Sequence, residues 1–176
     1  MVMVGGLNTS GRHGRIAVGL HWLSAALVVL AYFSVEMRGP HTSWMHIHVW
    51  TGTLLWVVSV GRLAWRLWHG VPPPVPASAL SNQISRVVHG ALYVFVLVQP
   101  LLGMLIYNLD GKPVPLVGLP HALYLIGPAP NLSHSVKAIH ELMGNIFYGV
   151  IGLHACAALV HHFLLRDGTM RRMSFS

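Results

Sequence analysis

Residues 139–156 read IHELMGNIFYGVIGLHAC, an apolar segment with a histidine near each end. His140 and His154 are fourteen residues apart, which is close to four turns of an α-helix. On one helix both rings would project from nearly the same face, about 21 Å apart along the axis. A single helix of this kind can place one imidazole near each side of a lipid bilayer.

The rest of the chain has the composition of a protein dissolved in lipid. Of its 176 residues, 54% are hydrophobic and only 9% are charged, whereas a soluble domain usually carries about 25% charged residues. The net charge of +7 could suggest nucleic acid, but the basic residues stand between apolar segments, so no nucleic-acid partner is expected. One cysteine and no C-x-x-C-H sequence exclude an internal disulfide and c-type haem attachment.

Four segments are long enough to span a bilayer, which takes about 20 residues. They cover approximately residues 16–35, 47–67, 84–107 and 142–165. We therefore predict an all-α integral membrane four-helix bundle, with residues 1–176 forming one domain surrounded by membrane lipid. The first segment is too long for a signal peptide and lacks a cleavage site, so it is read as a retained helix. The Pro- and Gly-rich connection over about 108–139 is predicted to cover the helix ends as a lid.

The lysines and arginines predict the orientation in the membrane. Cytoplasmic connections carry an excess of these residues, so both termini are predicted to be cytoplasmic. His48 and His140 would then lie near the outer face, with His21 and His154 toward the inner half. Eight basic residues fall on the side of the termini (Arg12, Arg15, Arg62, Arg66, Arg86, Arg166, Arg171, Arg172) and three on the other (Arg38, Lys112, Lys137).

Histidines inside membrane segments are costly and usually have a partner or a task. A neutral imidazole binds iron, copper or zinc well. His21 and His48 open the first two segments and can supply partners for His140 and His154. Two levels about 21 Å apart suit two flat haems, each between two histidines, better than one compact metal centre.

Two glycines strengthen this interpretation modestly. Gly52 follows His48 by four residues, and Gly144 follows His140 by four residues, so each shares a helix face with its histidine. Such glycines could leave room for a porphyrin edge. Ordinary close packing of membrane helices would explain them equally well.

The partner of His21 stays open on spacing alone. Counted from the cytoplasmic edge, His21 lies about 6–9 Å deep and His154 about 12–18 Å deep. His89, near the start of the third segment, matches the depth of His21 better. Geometry therefore allows His21 to pair with either His154 or His89.

Short motifs along nearly the whole chain carry a family resemblance. They are Leu20-His21-Trp22, Met45-His46-Ile47-His48-Val49, Val88-His89-Gly90, Gln99-Pro100, Tyr107-Asn108, Ile139-His140-Glu141, Gly152-Leu153-His154-Ala155 and His161-His162. In this order and spacing they resemble the bacterial diheme cytochrome b561 family, which includes a superoxide oxidase of the inner membrane.

The resemblance implies two haems b, each held by two axial histidines. It pairs His21 with His154 on the cytoplasmic side and His48 with His140 on the outer side. His89 becomes a candidate for contact with haem propionates, against a plain packing role. His46 would point away from the ring that His48 faces, because residues i and i+2 do not share a helix face.

The resemblance also implies a quinone near the cytoplasmic ends of the first and fourth helices. That region offers Trp22, His161 and His162, and His161 follows His154 by two turns on the same face. His161 and His162 could instead simply mark the interfacial end of the helix.

Iron held by two histidines has no open position, so its chemistry is outer-sphere electron transfer. The expected function is transfer of single electrons through two haems to or from the quinone pool of the bacterial inner membrane. Superoxide is a candidate donor and ubiquinone the expected acceptor. A strong field for attracting superoxide is not evident, because Arg38, Lys112 and Lys137 are offset by Glu36, Asp110 and Glu141.

Two other functions are compatible with part of the sequence. The chain could be the haem-bearing membrane subunit of a larger dehydrogenase complex. It could also be a histidine-rich transporter for a divalent metal, although the absence of an intramembrane carboxylate and of an inverted repeat speaks against transport.

Overall fold

The computed structural model describes residues 14–37, 43–70, 78–115, 124 and 126–175. Within these residues there are four long helices: α1 (Arg15–Glu36), α2 (Ser43–His69), α3 (Ala79–Leu109) and α4 (Pro130–Val160). A turn of π-helix, His161–Leu165, continues α4, and the short 3₁₀-helix Met170–Met173 follows. All four helices are long and apolar enough to cross a membrane. The predicted all-α membrane bundle is confirmed, and the chain is a multi-pass membrane protein.

The helices extend beyond the apolar segments seen in the sequence. α3 begins at Ala79, where the Ser78 hydroxyl caps it by accepting a hydrogen bond from the Ser81 amide at 3.2 Å. α4 begins at Pro130, because proline suits the first position of a helix. The connection predicted over 108–139 is therefore wrong at its C-terminal side, since residues 130–139 are helical. Residues 116–123 and 125 of the predicted lid lie outside the described residues.

Neighbouring helices run in opposite directions. Phe33 near the end of α1 packs against Trp44 at the start of α2, with ring centroids 5.8 Å apart. The Ser133 hydroxyl at the start of α4 donates a hydrogen bond to Asp110, which follows α3. The bundle thus has a tail end, where α1 begins and α4 ends, and an opposite end, where α1 ends and α4 begins.

The distribution of side chains is that of a membrane protein. Large apolar residues face outward, such as Val29, which is 68% exposed, and Leu142, which is 61% exposed. Small polar residues lie between the helices, including Ser34 and Thr53, which are almost fully buried. The Thr53 hydroxyl donates to the Val49 carbonyl at 2.9 Å, so burial leaves it satisfied. Small residues between helices allow the close approach on which packing in lipid depends.

The turn after α3 fixes the height of α4 against α3. Gly111 adopts φ +76°, a conformation that favours glycine. The Asn108 side-chain amide donates to the Lys112 carbonyl at 2.9 Å, and the Ala129 amide donates to the Leu109 carbonyl at 3.0 Å. This turn sets the level at which α4 presents His140 to α3.

Candidate functional site

His48 of α2 and His140 of α4 face each other at the opposite end of the bundle. Their ring centroids are 6.2 Å apart, and the ring planes are 87° apart. A metal–imidazole bond of about 2 Å would place the centroids of two rings on opposite sides of one metal ion about 6 Å apart. Two imidazoles bound on opposite sides of one metal ion can each rotate about the metal–nitrogen bond. The angle of 87° between the ring planes is therefore compatible with a shared metal ion. The spacing suits a metal ion between the two rings.

The backbone of α1 orients His48. Its Nδ1 lies 3.0 Å from the Ala31 carbonyl and 3.4 Å from the Ser34 hydroxyl. A bond to a carbonyl requires the proton on Nδ1, which leaves the lone pair of Nε2 for a metal. This is how metal-ligating histidines are commonly held. Nothing in the side-chain pattern of the sequence could have identified the Ala31 carbonyl.

Two residues of α3 support His140. A Cβ at Gly103 would lie 3.4 Å from His140 Cε1, so glycine there gives the ring its space. The Gln99 side-chain amide donates to the His140 carbonyl at 2.7 Å. This contact gives a structural role to the glutamine of the Gln99-Pro100 motif. Gly103 carried no signal in the sequence.

A cavity of about 470 Å³ contains both His48 and His140 and is lined by residues of all four helices. That volume is in the usual range for cofactor pockets, about 300–1,000 Å³. Its walls are largely apolar, with Phe95 and Phe147 stacked at a centroid distance of 4.8 Å. Glu36, Lys137 and Glu141 also line it. An apolar slot with charged groups on its lining fits a flat macrocycle that carries polar substituents.

Gly52 and Gly144 both line the cavity, but a side chain at each position would meet different surroundings. Gly52 lines the cavity, and a Cβ there would meet nothing within 4 Å, so the space beside it is open for a cofactor. A Cβ on Gly144 would lie 3.2 Å from Gln99 Nε2. The Gly144 carbonyl also accepts a hydrogen bond from the Tyr32 hydroxyl at 2.7 Å. Gly52 thus fits the cofactor explanation, and Gly144 fits the packing explanation.

A second group of histidines lies nearer the tail end. The His154 ring centroid is 6.4 Å from that of His21 and 5.3 Å from that of His89. The first distance nearly equals that of the pair His48 and His140, and the second is shorter. His89 Nδ1 also lies 3.3 Å from the Ser85 hydroxyl on its own helix. The structure thus brings together His21, His89 and His154, the three histidines whose pairing the sequence left open.

Two arginines lie beside this second group. The guanidinium carbons of Arg62 and Arg66 are 5.4 and 5.3 Å from the centre of the Tyr93 ring, a cation–π arrangement. Both arginines interact electrostatically with His89, and Arg62 also interacts with His154. Neither forms an ion pair within the described part of the chain. In the sequence analysis, Arg62 and Arg66 served only to predict the orientation of the chain in the membrane.

Trp22 and His161 lie at the tail end, near the last residues of the chain. The Trp22 indole donates to the Met173 carbonyl at 2.8 Å, and His161 Nδ1 is hydrogen-bonded to the Asp167 carboxylate. Burial favours the protonated acid, but hydrogen bonds from Thr169 and His161 outweigh it and lower the pKa of Asp167 to about 2. Asp167 was not singled out in the sequence. His162 is exposed, and its ring lies 4.7 Å from that of Phe163, centroid to centroid.

The charged groups at the opposite end largely offset one another. Lys137 lies 4.0 Å from Glu141, and both side chains are exposed. The Tyr148 hydroxyl donates to Glu36 at 3.3 Å. His46 is exposed, as expected for a residue that does not share the face of His48. Arg12 and Arg38, which were counted for the orientation in the membrane, lie outside the described residues.

The arrangement does not resemble a site for a bare metal ion. Within the ranges that the structure describes, no group of three or more His, Cys, Asp or Glu side chains is arranged to hold one. The histidines instead form facing pairs at two levels of the bundle. Facing imidazoles, with an apolar slot beside His48 and His140, suit a flat ring with iron at its centre.

Comparison with known proteins agrees with this chemistry. Residues 12–176 match the family model of prokaryotic cytochrome b561. The probable superoxide oxidase CybB of Yersinia pestis is 35% identical over 170 residues, which covers 92% of this chain and 95% of that protein. Cytochrome b561 homolog 1 of Escherichia coli K12 is 31% identical over 172 residues, covering 92% and 96% respectively. The chain therefore belongs to the prokaryotic cytochrome b561 family and is a membrane-spanning electron carrier that binds b-type haem.

Proposed function

We propose that the protein holds two haems b and carries single electrons between its two ends. His48 and His140 hold one haem, and His21 and His154 hold the other. The observation that carries this proposal is the repeated pair geometry, with ring centroids 6.2 and 6.4 Å apart at two levels of α4. Haem b between two histidines has no open coordination position and supplies outer-sphere electron transfer.

The distances support His21, at a ring-centroid separation of 6.4 Å, rather than His89 as the partner of His154. The separation of 5.3 Å between the rings of His89 and His154 is short for two imidazoles on opposite sides of one metal ion. We assign His89 to the surroundings of the tail-end haem. There it stands with Arg62 and Arg66, whose positive charges suit the propionate groups of a haem.

We place both termini in the cytoplasm and the protein in the bacterial inner membrane. Eight of the eleven lysines and arginines fall on the side of the termini, and cytoplasmic connections carry the excess of such residues. The haem between His21 and His154 is then nearer the cytoplasm, and that between His48 and His140 is nearer the outer face.

We place the quinone site at the tail end, between the start of α1 and the end of α4. Trp22 is half exposed there, and His161 lies two turns after His154 on the same helix face. An apolar quinone can reach this region from the lipid past exposed side chains such as Ile16 and Leu159. Ubiquinone is the acceptor in this proposal.

Superoxide is the proposed donor at the opposite end. The name of the relative from Yersinia pestis, a probable superoxide oxidase, supports this choice. In the balanced reaction, two superoxide anions each give one electron, and one ubiquinone takes up two electrons and two protons. The products are two molecules of O₂ and one ubiquinol.

Stopped-flow spectroscopy of the purified haem-loaded protein tests this function. Mixing oxidised protein with superoxide should reduce b-type haem, and a short-chain ubiquinone should then reoxidise it. Addition of superoxide dismutase before mixing is the control and should abolish the reduction. If ubiquinone reoxidises dithionite-reduced protein but superoxide reduces nothing, superoxide is not the donor, and a partner dehydrogenase becomes the better proposal.

A further inference from the structure

Asp167 occupies an isolated position among the acidic residues of the chain. The sequence has four acids, and Glu36, Asp110 and Glu141 all lie at the opposite end of the bundle. Asp167 alone lies at the tail end, with an intermediate side-chain exposure of 22%. The orientation of the chain in the membrane depends on lysines and arginines and does not require a carboxylate at this end. The role of Asp167 is therefore sought in its contacts.

Residues 166–175, the return segment, fold back from the end of α4 onto the start of α1. Arg166 adopts φ 50° and Gly168 adopts φ +79°, and these left-handed conformations reverse the chain after the π-helical turn. The Trp22 indole holds the segment through the Met173 carbonyl. The Phe175 ring lies 4.0 Å from the Cβ position of Gly19. The return segment therefore lies next to the region assigned to the quinone.

Asp167 uses both of its oxygens within this segment. Oδ1 accepts a hydrogen bond from the Thr169 amide at 2.9 Å, and Oδ2 bonds to His161 Nδ1. The pKa of about 2 keeps the carboxylate ionised in the cell, so it can only accept. The Nδ1 atom of His161 therefore carries a proton, and Nε2 is the atom left to exchange one.

We propose that Asp167 is a positioning residue that directs Nε2 of His161 to a carbonyl oxygen of the quinone bound beside Trp22. This inference rests on the proposed quinone site. The quinone is reduced by two electrons that arrive singly through the protein, and each of its two oxygens gains one proton. His161 Nε2 donates one of these protons and regains it from water, while the second comes from water directly. The Asp167 carboxylate accepts the hydrogen bond from Nδ1 and so fixes the orientation of the His161 ring.

The first test replaces Asp167 by asparagine in the full-length haem-loaded protein. Asp167→Asn keeps an oxygen for the Thr169 amide but removes the charge that holds His161. We expect the kcat of ubiquinone-dependent haem reoxidation to fall on the order of tenfold or more, with KM changed by less than about twofold because Trp22 is retained. Asp167→Glu keeps the carboxylate and should recover much of the rate. Reduction of haem by dithionite should be unchanged in both variants.

Two comparisons distinguish positioning from a merely structural effect. In a His161→Asn background, Asp167→Asn should have no further effect on reoxidation, whereas a structural effect would add to that of His161→Asn. Asp110→Asn removes the same charge at the opposite end and should leave reoxidation unchanged. Asp167→Ser is measured in parallel, in case the amide disturbs the turn at Thr169 and lowers haem content.

Reoxidation at the wild-type rate in both Asp167→Asn and Asp167→Ser would overturn the inference and leave the proposed function intact. An equal loss in the presence and absence of His161 would also overturn it. If ubiquinone fails to reoxidise the wild-type protein at all, the proposed function falls and the inference with it. The two failures are therefore distinguishable in one set of measurements.

Discussion

Gly52 and Gly61 provide a matched pair of residues on α2. A Cβ at either position would meet nothing within 4 Å, but only Gly52 lines the cavity between His48 and His140. We predict that Gly52→Leu lowers the haem content by up to one haem per chain, because the side chain would occupy cofactor space. Gly61→Leu, on an exposed position of the same helix, should retain the wild-type content. Haem-to-protein ratios check this, and equal ratios in the two variants would contradict it.

The sequence pointed to the four histidines that the structure places in facing pairs, but it did not point to the groups that contact them. The Ala31 carbonyl that orients His48 is a backbone atom, and every residue type would supply it. Gly103 matters because His140 packs over it, a contact between helices that spacing along one helix does not reveal. The tautomer of a histidine depends on its tertiary contacts, such as that of His48 with the Ala31 carbonyl. The sequence gives the position of a histidine but not these contacts.

Arg62 of α2, which packs against Tyr93 of α3, should affect the midpoint potential of the tail-end haem. A positive charge near His154 favours reduced iron, which carries one positive charge fewer. We predict that Arg62→Gln lowers the midpoint potential of the tail-end haem by about 30–60 mV, equivalent to about 0.7–1.4 kcal/mol for one electron. A spectroelectrochemical titration would measure this.

Arg86 of α3 is the control for Arg62. It is exposed, and its Nε donates to the Asn82 carbonyl of its own helix at 3.3 Å. Arg86→Gln removes the same charge and should leave both potentials within a few millivolts of wild type. An equal shift in the two variants would mean that Arg62 acts through the general charge of the tail end and not through its place beside His154.

The observed ends of the helices explain why the depth of a histidine could not be estimated well from the sequence. Hydropathy finds the residues that are dissolved in lipid, so it located the centre of every helix and missed the polar first turns of α4. It also placed the start of the third helix at residue 84, whereas α3 begins at Ala79. His89 is therefore deeper in its helix than the sequence suggested. A depth estimated from an uncertain helix start could not choose between His89 and His154.

For the whole molecule, the balance of charge at the opposite end predicts how superoxide arrives. Lys137 is close to Glu141, and Glu36 also lines the cavity, so long-range attraction of an anion should be weak. We predict that the rate of haem reduction by superoxide changes by less than about threefold between low and high salt. Glu141→Gln should raise the rate and make it fall with salt. A steep fall with salt in the wild type would contradict this account.

The contacts of the return segment with the start of α1 and the end of α4 could not be predicted from the sequence. The sequence identified Trp22 and His161 as candidates for the quinone end, but it did not bring Asp167 or Met173 to them. Trp22 and Met173 are 151 residues apart in the chain, and only the closure of the bundle makes them neighbours. Contacts between the two ends of a chain depend on the assembled helices, which local patterns do not describe.

The haem content of single histidine variants tests the central claim most directly. The wild type should hold two haems b per chain. His48→Ala and His140→Ala should each lose the same haem, and His21→Ala and His154→Ala should each lose the other, as judged by reduced-minus-oxidised spectra and haem-to-protein ratios. His89→Ala should keep both haems. One haem per wild-type chain, or loss of a haem in His89→Ala while His154→Ala retains two, would contradict the account.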